Sequence, residues 1–314
     1  LDFGNSKSFE KAKKMYEYRL ENYFKEDALF KESDEIFKED HLTLDIPRFV
    51  GQSFEKTFKN TTSLLDYCAQ FAVTGVVKCW QTDSGKVLNY ADIEPESDKV
   101  AVMLFQKGKK LSKKEGKEKE AFKELTKAIE KYDKHAMAYE KRGNVNLTLK
   151  KYAEAARDFK KTIKIDPSNP MAYYGLAKVH IHNDEFQDAI DNLELTCKKS
   201  LALQPIYWKS RRLKSECHFK LEQYEKAEFD LKLFTNRKFT EDNPNFKWLP
   251  WAYYQYAEVL MELEKYDDAL EEYIKASEED TPEIKGIPKS QIIRKRALAK
   301  KELGKNGVLS DLKQ

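Results

Sequence analysis

Residues that end or bend regular structure are scarce in this chain of 314 residues. It has only 11 glycines and 9 prolines, whereas Asp, Glu, Lys and Arg make up 35% of its residues. Turn-rich β folds use more glycine and proline than this, and helices with solvated faces are rich in charged residues. The composition therefore predicts a mainly α-helical protein.

Features that would indicate a secreted, membrane-spanning or nucleic-acid-binding protein are also missing. The four cysteines are scattered without a C-x-x-C pair, which favours free thiols in a reducing compartment. No apolar run approaches the roughly 18 residues needed to span a bilayer, and the longest candidate is the short stretch 71–77. The net charge of +3 gives little reason to expect nucleic acid or an anionic membrane as a partner.

Motifs that mark common catalytic sites are absent as well. We find no phosphate-binding glycine loop, no dinucleotide-binding glycine fingerprint, no nucleophile elbow and no H-E-x-x-H zinc pair. His180 and His182 are two apart on a predicted helix, so they point about 200° apart and cannot share a metal. Cys197, Cys217 and His218 lack the spacing of a metal site. We therefore expect no enzyme, no catalytic residue, no metal and no cofactor.

A period of 34 residues runs through the chain from about residue 100 onward. Tyr139, Tyr173 and Tyr207 lie 34 residues apart. The stretch 138–143 opens one predicted helix with Ala-Tyr-Glu-Lys-Arg-Gly, and 151–156 opens a second with Lys-Tyr-Ala-Glu-Ala-Ala. This pattern resembles the tetratricopeptide repeat. The resemblance implies two antiparallel helices per unit, with an aromatic residue opening the first and a small residue letting the pair approach.

Further stretches repeat the pattern with some departures. In the next unit Ala189 is in step with Ala155, but Ala227 of the third unit follows 38 residues later instead of 34, so we expect a lengthened first helix or loop there. A fourth unit covers 251–276, and a degenerate first unit covers 105–128. A fifth unit stops at Gln314 inside its second helix, and the first residue is Leu1 rather than Met, so we expect the natural chain to continue.

The predicted fold is all-α. Residues 96–314 are expected to form a right-handed α-solenoid of about five tetratricopeptide-like helix pairs, and 1–95 a mixed, mainly helical segment that includes a short β-hairpin turning near 83–85. The acidic connector 91–98 is the expected boundary. The following repeat residues are expected to be core: Tyr139, Ala155, Phe159, Ala189, Tyr253, Ala269 and Tyr273.

In this family the first helices of successive units line a concave groove that receives a peptide or a partner helix. Register places one solvent-facing set of side chains on those helices, and a merely solvated face is the alternative for each. The candidates are Asn144, Tyr174, Lys178, His182, Arg212, Glu216, Tyr254 and Glu258.

Some family members are co-chaperones that clamp a terminal carboxylate with lysine, asparagine and arginine. Here Lys109 and Lys141 stand at the asparagine sites, Phe105 at the first lysine site, and Met171 and Gly175 at the later lysine and arginine sites. Chaperone-tail binding is therefore disfavoured.

Charge is distributed unevenly along the repeats. Residues 107–164 hold 19 basic and 9 acidic side chains, whereas 255–283 hold 2 and 11. The basic stretch makes an RNA-associated factor one alternative function and a peptide-binding co-chaperone is the other. The favoured prediction is a non-enzymatic protein–protein interaction scaffold or adaptor, a structural subunit of a larger assembly in the cytoplasm, cytoskeleton or cilium.

Overall fold

The computed structural model describes residues 1–25, 27–46, 50–83, 86–278, 283–284 and 286–304. Within these ranges the chain forms fourteen α-helices and three two-stranded antiparallel hairpins, and the helices follow one another in packed pairs. This confirms the predicted helical-repeat class. The backbone divides into two compact units, Leu1–Pro167 and Ser168–Gln314. Among the described helices none combines the length and the apolar character that crossing a membrane requires.

The first unit begins with helices and hairpins and ends with two helix pairs. Its helices and strands are α1 Ser6–Asn22, α2 Ser33–Ile36, β1 Phe37–Lys38, β2 Thr43–Leu44, α3 Glu55–Ala69, β3 Val77–Asp83, β4 Lys86–Ile93, α4 Val100–Leu111, α5 Glu118–Lys131, α6 Ala136–Thr148 and α7 Tyr152–Ile165.

The segment before α4 has a hydrophobic core of its own. One face of α1 is buried through Phe9, Ala12, Tyr16 and Leu20, at the three- and four-residue spacing of an amphipathic helix. The Tyr16 hydroxyl donates a 2.6 Å hydrogen bond to the Phe30 carbonyl, so its polar end is satisfied inside the core. The expected hairpin is confirmed as β3 and β4, and its turn at 84–85 lies outside the described residues. The domain boundary near residue 95 stays a prediction.

The second unit continues the helix pairs. Its helices and strands are α8 Pro170–His182, α9 Phe186–Lys199, α10 Pro205–Lys220, α11 Tyr224–Thr235, α12 Leu249–Glu262, α13 Tyr266–Ser277, β5 Glu283–Ile284, β6 Ile287–Pro288 and α14 Lys289–Glu302, with a 3₁₀ turn at Phe246–Trp248 before α12. The rest of the expected fifth repeat, 305–314, lies outside the described residues.

Glycine lets the two helices of a pair approach closely. A Cβ added to Gly143 of α6 would stand 2.8 Å from Phe159 Cε1 on α7. A Cβ added to Gly108 of α4 would stand 2.7 Å from Leu125 Cγ on α5. Because real Cβ atoms do not come this close to other carbons, the backbone spacing within each of these pairs depends on glycine.

Four of the pairs are joined by the same tight turn. Its middle residue has a positive φ in each case, namely +58° at Lys150, +59° at Asp184, +57° at Glu222 and +58° at Glu264. Each such non-glycine residue costs of order 1 kcal/mol, a cost that persists only where the packed helices on both sides demand it. The recurrence of this turn is therefore evidence for the repeat that does not depend on the buried core positions.

The lengthened third repeat is explained mainly by its first helix, and the connector before that helix supplies one further residue. Helix α10 has 16 residues, whereas α8 has 13. The expected core positions behave as a group: Ala155, Phe159, Ala189, Ala269 and Tyr273 have no exposed side-chain surface. Tyr139 and Tyr253 are half-buried instead, although both pack against the core.

His135 is a fully buried histidine at the start of α6. Its Nδ1 accepts the Ala138 backbone N–H at 3.3 Å and lies 2.9 Å from the Thr74 hydroxyl, which therefore donates to it. The ring proton then sits on Nε2, which is buried and has no hydrogen-bond partner among the described residues. Burial lowers the pKa of His135 to about 3, since protonating Nδ1 would bury a charge and break both bonds.

We expect acid to weaken the first unit through this histidine. In the unfolded chain His135 takes up a proton near pH 6.5, whereas in the folded chain it does so only near pH 3. The contribution of neutral His135 to the free energy of unfolding is therefore fully present above pH 6.5 and is lost progressively as the pH falls from 6.5 toward 3. Between pH 7 and 5 the free energy of unfolding should drop by about 2 kcal/mol from this group alone. Denaturant unfolding of wild type and His135→Asn, which keeps an acceptor for Ala138, measures it. Equal pH slopes in the two proteins would contradict the assignment.

Candidate protein-binding surface

Seven of the eight predicted groove residues lie in the second unit, on α8, α10 and α12, the first helices of three consecutive pairs. Helix α10 contacts both α8 and α12. Lys178 and His182 are exposed, Tyr174, Glu216 and Glu258 are half-buried, and Arg212 and Tyr254 are buried. The expected solvent exposure is therefore wrong for Arg212 and Tyr254, which pack against aromatic neighbours. Asn144 lies in the first unit, where its amide donates to the Glu140 carbonyl at 3.0 Å.

Arg212 is held between a carboxylate and an indole ring. Its guanidinium donates to Glu216 one turn further along α10 and lies 4.1 Å from the centre of the Trp248 ring. The Trp251 indole N–H also donates to Glu216, at 3.3 Å. A guanidinium stacked on an aromatic ring and paired with a carboxylate is fixed in place, because both contacts exploit its planar shape.

Tyr254 and Glu258 belong to a second polar cluster. The Tyr254 ring stacks on Trp251 with 5.7 Å between ring centres. Glu258 accepts a hydrogen bond from the Tyr273 hydroxyl and, at 2.8 Å, one from the Lys295 ammonium of α14. Burial, followed by the charge of Glu258, raises the pKa of Tyr254 to about 12, so the phenol stays neutral at physiological pH.

A cavity of about 390 Å³ lies beside these two clusters. Its walls are mainly apolar, and they include Ile181 and Phe186 from the first pair, Leu213 and Phe219 from α10, and Trp251 from α12. Three predicted residues, Glu216, Tyr254 and Glu258, also line it. The structure therefore brings these three together around one opening that is large enough to accept a large side chain.

Basic residues surround Tyr174 beside this cavity. Lys178 lies one turn after Tyr174 on α8. Part of its long side chain is exposed, but desolvation of the ammonium group, followed by the charge of Lys209, lowers its pKa. The pKa of Lys209 is lowered in turn by burial and by the charges of Lys247 and Arg212. Lys178, Lys209, Lys247 and Arg212 therefore belong to one region, since charges within the group lower the pKa of Lys178 and of Lys209.

The repeat family is identified by two stretches of this chain. A family model described as TPR repeat matches residues 143–183, which span the end of α6, all of α7 and α8. A second, described as tetratricopeptide repeat, matches residues 252–281. This chain contains tetratricopeptide repeats.

Several solved structures are similar in fold to this chain. YrrB, described as a TPR protein with an unusual peptide-binding site, is 20% identical with a TM-score of 0.50, covering 60% of this chain and 89% of that one. PilF of Pseudomonas aeruginosa is 14% identical with a TM-score of 0.54, covering 68% and 89%. PilW, a type IV pilus biogenesis factor, is 16% identical with a TM-score of 0.50, covering 68% and 91%. At these identities the likeness concerns the fold alone.

One similar sequence belongs to a named particle. Signal recognition particle subunit SRP72 of Caenorhabditis elegans is 28% identical over 134 residues. The match covers 42% of this chain and 19% of that protein, so this tetratricopeptide-repeat chain spans about a fifth of its length.

One cluster in the second unit has the composition of a metal site. Ligand atoms of His180, Glu185 and Asp188 all lie within 4.8 Å of one another, and His180 Nδ1 is 2.5 Å from Glu185. The next tetratricopeptide repeat makes the same contact between His218 and Gln223, at 2.9 Å. Because an amide serves equally well there, the contact is explained as a hydrogen bond that closes the turn between two helices.

Sequence register missed several residues of this surface. Lys209 lies one turn before the predicted Arg212–Glu216 pair, and Lys247 and Trp248 come from the connector before α12. The repeat consensus contains no such connector, so no position in it could be aligned. The signal that was available is the density of Trp and Lys in 247–251.

Proposed function

We propose that this protein is a non-enzymatic scaffold or adaptor that binds other proteins through the first helices of its second unit. The repeat fold is in general a non-catalytic interaction fold, which supports the broad class. The observation that carries the proposal is the apolar cavity bordered by Glu216, Tyr254 and Glu258, since a preformed apolar opening with fixed polar groups is what a protruding side chain of a partner requires.

Membership of a larger assembly is part of the proposal. A segment of this chain is similar to part of a signal recognition particle subunit, and that similarity supports a role as one subunit among several in a cytoplasmic particle. A cytoskeletal or ciliary location stays a prediction that neither the fold nor the similar proteins support.

Binding of RNA by the basic stretch 107–164 receives less support. Several of its cations already have carboxylate partners: Lys107 lies 3.3 Å and Lys127 3.5 Å from Glu124, and Arg142 lies 2.7 Å from Asp158. Cations that are paired within the protein release fewer counterions from a phosphate chain, so they contribute less to binding it.

Site-specific photo-crosslinking tests the proposed binding face. Benzoylphenylalanine is introduced at Lys178, which lies about one turn before the cavity-lining Ile181 on α8. Separately it is introduced at Lys232, an exposed position on α11 that does not line the cavity. We expect irradiation in native lysate to attach the protein through position 178 to a small set of proteins that belong to one assembly. Position 232 should yield none of them. Identical products from both positions, or none from 178, would move the binding face elsewhere.

A further inference from the structure

Three lysines of the second unit carry charge that no carboxylate within the described ranges neutralises by an ion pair. Lys178 on α8, Lys209 on α10 and Lys247 in the 3₁₀ turn form no ion pair with any described residue. The other face of α10 differs, because Lys214 lies 3.2 Å and Arg211 2.6 Å from the buried carboxylate of Asp230. We call Lys178, Lys209 and Lys247 the lysine cluster.

The three lysines of the lysine cluster come from segments that lie next to one another in the second unit. Lys209 and Arg212 lie one turn apart on the same face of α10. Lys247 immediately precedes Trp248, whose ring lies 4.1 Å from the Arg212 guanidinium. Helix α8, which carries Lys178, contacts α10. Arg212 is already paired with Glu216, so the uncompensated charge belongs to the three lysines.

The lysine cluster stands at a regular sequence offset from residues that line the apolar cavity. Each lysine lies three or four residues before a cavity-lining residue of its own segment: Lys178 before Ile181, Lys209 before Leu213, and Lys247 before Trp251. One helical turn advances about 5.4 Å along the axis. An extended peptide covers that distance in about two residues, since it spans about 3.3 Å per residue.

We infer that this surface binds an acidic segment of a partner protein, with aspartate or glutamate on the lysine cluster and a large apolar side chain about two residues away in the cavity. The inference rests on the proposed function and names the chemistry of the partner. Like-charged lysines held close together without counter-charges cost free energy that a carboxylate relieves on binding. Burial lowers the pKa of Lys178 and of Lys209, and the charge of neighbouring cations lowers both further.

A peptide fits this surface better than a nucleic acid does. Glu216 and Glu258 border the cavity, so a phosphate chain that continued into it would meet two carboxylates. A peptide places its charges at the lysine end and an uncharged side chain beside the glutamates. A surface with one basic and one apolar subsite therefore favours a partner peptide in which acidic residues alternate with apolar residues.

Fluorescence anisotropy with purified full chain tests the inference. The probe is a short fluorescein-labelled peptide in which glutamates flank one phenylalanine. Two control peptides replace the glutamates with lysines or the phenylalanine with glycine, and a uridine oligonucleotide is the fourth probe. The variant Lys178→Gln with Lys209→Gln removes two charges from the cluster. The matched control, Lys226→Gln with Lys232→Gln, removes two exposed charges from α11.

We expect the acidic aromatic peptide to bind and the cluster variant to bind it about tenfold more weakly, while the α11 variant binds like wild type. Affinity should fall with added salt. Equal binding of the lysine peptide, equal binding by the cluster variant, absence of binding, or a preference for the oligonucleotide would each overturn the inference. The proposed scaffold would survive those results if crosslinking through position 178 still captured defined proteins, so the two failures are distinguishable.

Discussion

Arginine in place of Ala155 should unfold the first unit at physiological temperature. Ala155 lies on α7 one turn before Phe159, so both face α6, and neither has any exposed side-chain surface. The guanidinium has no room between two helices whose spacing is set by the contact of Gly143 with the Phe159 ring. Overpacking costs about 1–3 kcal/mol and burying an unpaired charge costs several more. Together these approach the total stability of an ordinary domain.

Thermal unfolding followed by far-UV circular dichroism measures the effect. We expect the melting transition of the Ala155→Arg protein to fall by about 10 °C or more, or to disappear. Ala153 lies on the same helix but is exposed, so Ala153→Arg adds the same side chain without burial and should melt like wild type. Ala269, fully buried on α13, is the corresponding position in the second unit and should respond as Ala155 does. Equal melting of the Ala155 and Ala153 variants would contradict the helix pairing.

The repeat was predictable because its strongest signals depend on local geometry. The 34-residue spacing of Tyr139 and Tyr173 and the small residue at Ala155 follow from how two helices of one unit must pack, and any unit repeats those demands. The extra length of α10 was visible as the shift between Ala189 and Ala227. The sequence could not show whether the extra residues lie in the helix or in the loop, because either insertion gives the same spacing between Ala189 and Ala227.

The surface was less predictable than the core. Tyr254 was assigned to a solvated face by register, yet it is buried because Trp251 stacks on one side of its ring and Tyr273 lies 6.1 Å away. Register fixes the direction of a side chain from its helix but not what the next helix or a connector places over it. Lys247 and Trp248 illustrate this, since they come from a connector that has no counterpart in the other repeats.

The second prediction concerns a buried ion pair that ties three helices together. Arg142 of α6 donates two hydrogen bonds to the Asp158 carboxylate on α7, at 2.9 and 2.7 Å, and a third to the Thr126 hydroxyl on α5 at 3.1 Å. Arg142→Ala leaves Asp158, which is only 5% exposed, with the Asn146 amide as its remaining donor. We expect the free energy of unfolding to fall by about 3 kcal/mol, mainly from the stranded carboxylate.

Denaturant unfolding of a double-mutant cycle separates that cost from lost packing. If the stranded charge dominates, Arg142→Ala combined with Asp158→Ala should be less destabilising than the sum of the single changes, because no buried charge is left without a partner. Arg142→Lys should recover only part of the loss, since an ammonium cannot reproduce the two parallel bonds. Arg157→Ala, at an exposed position on α7, is the matched control and should change stability by less than about 0.5 kcal/mol. Additive single effects would mean that Arg142 stabilises the unit through its stacking on Tyr139 and Phe122 instead.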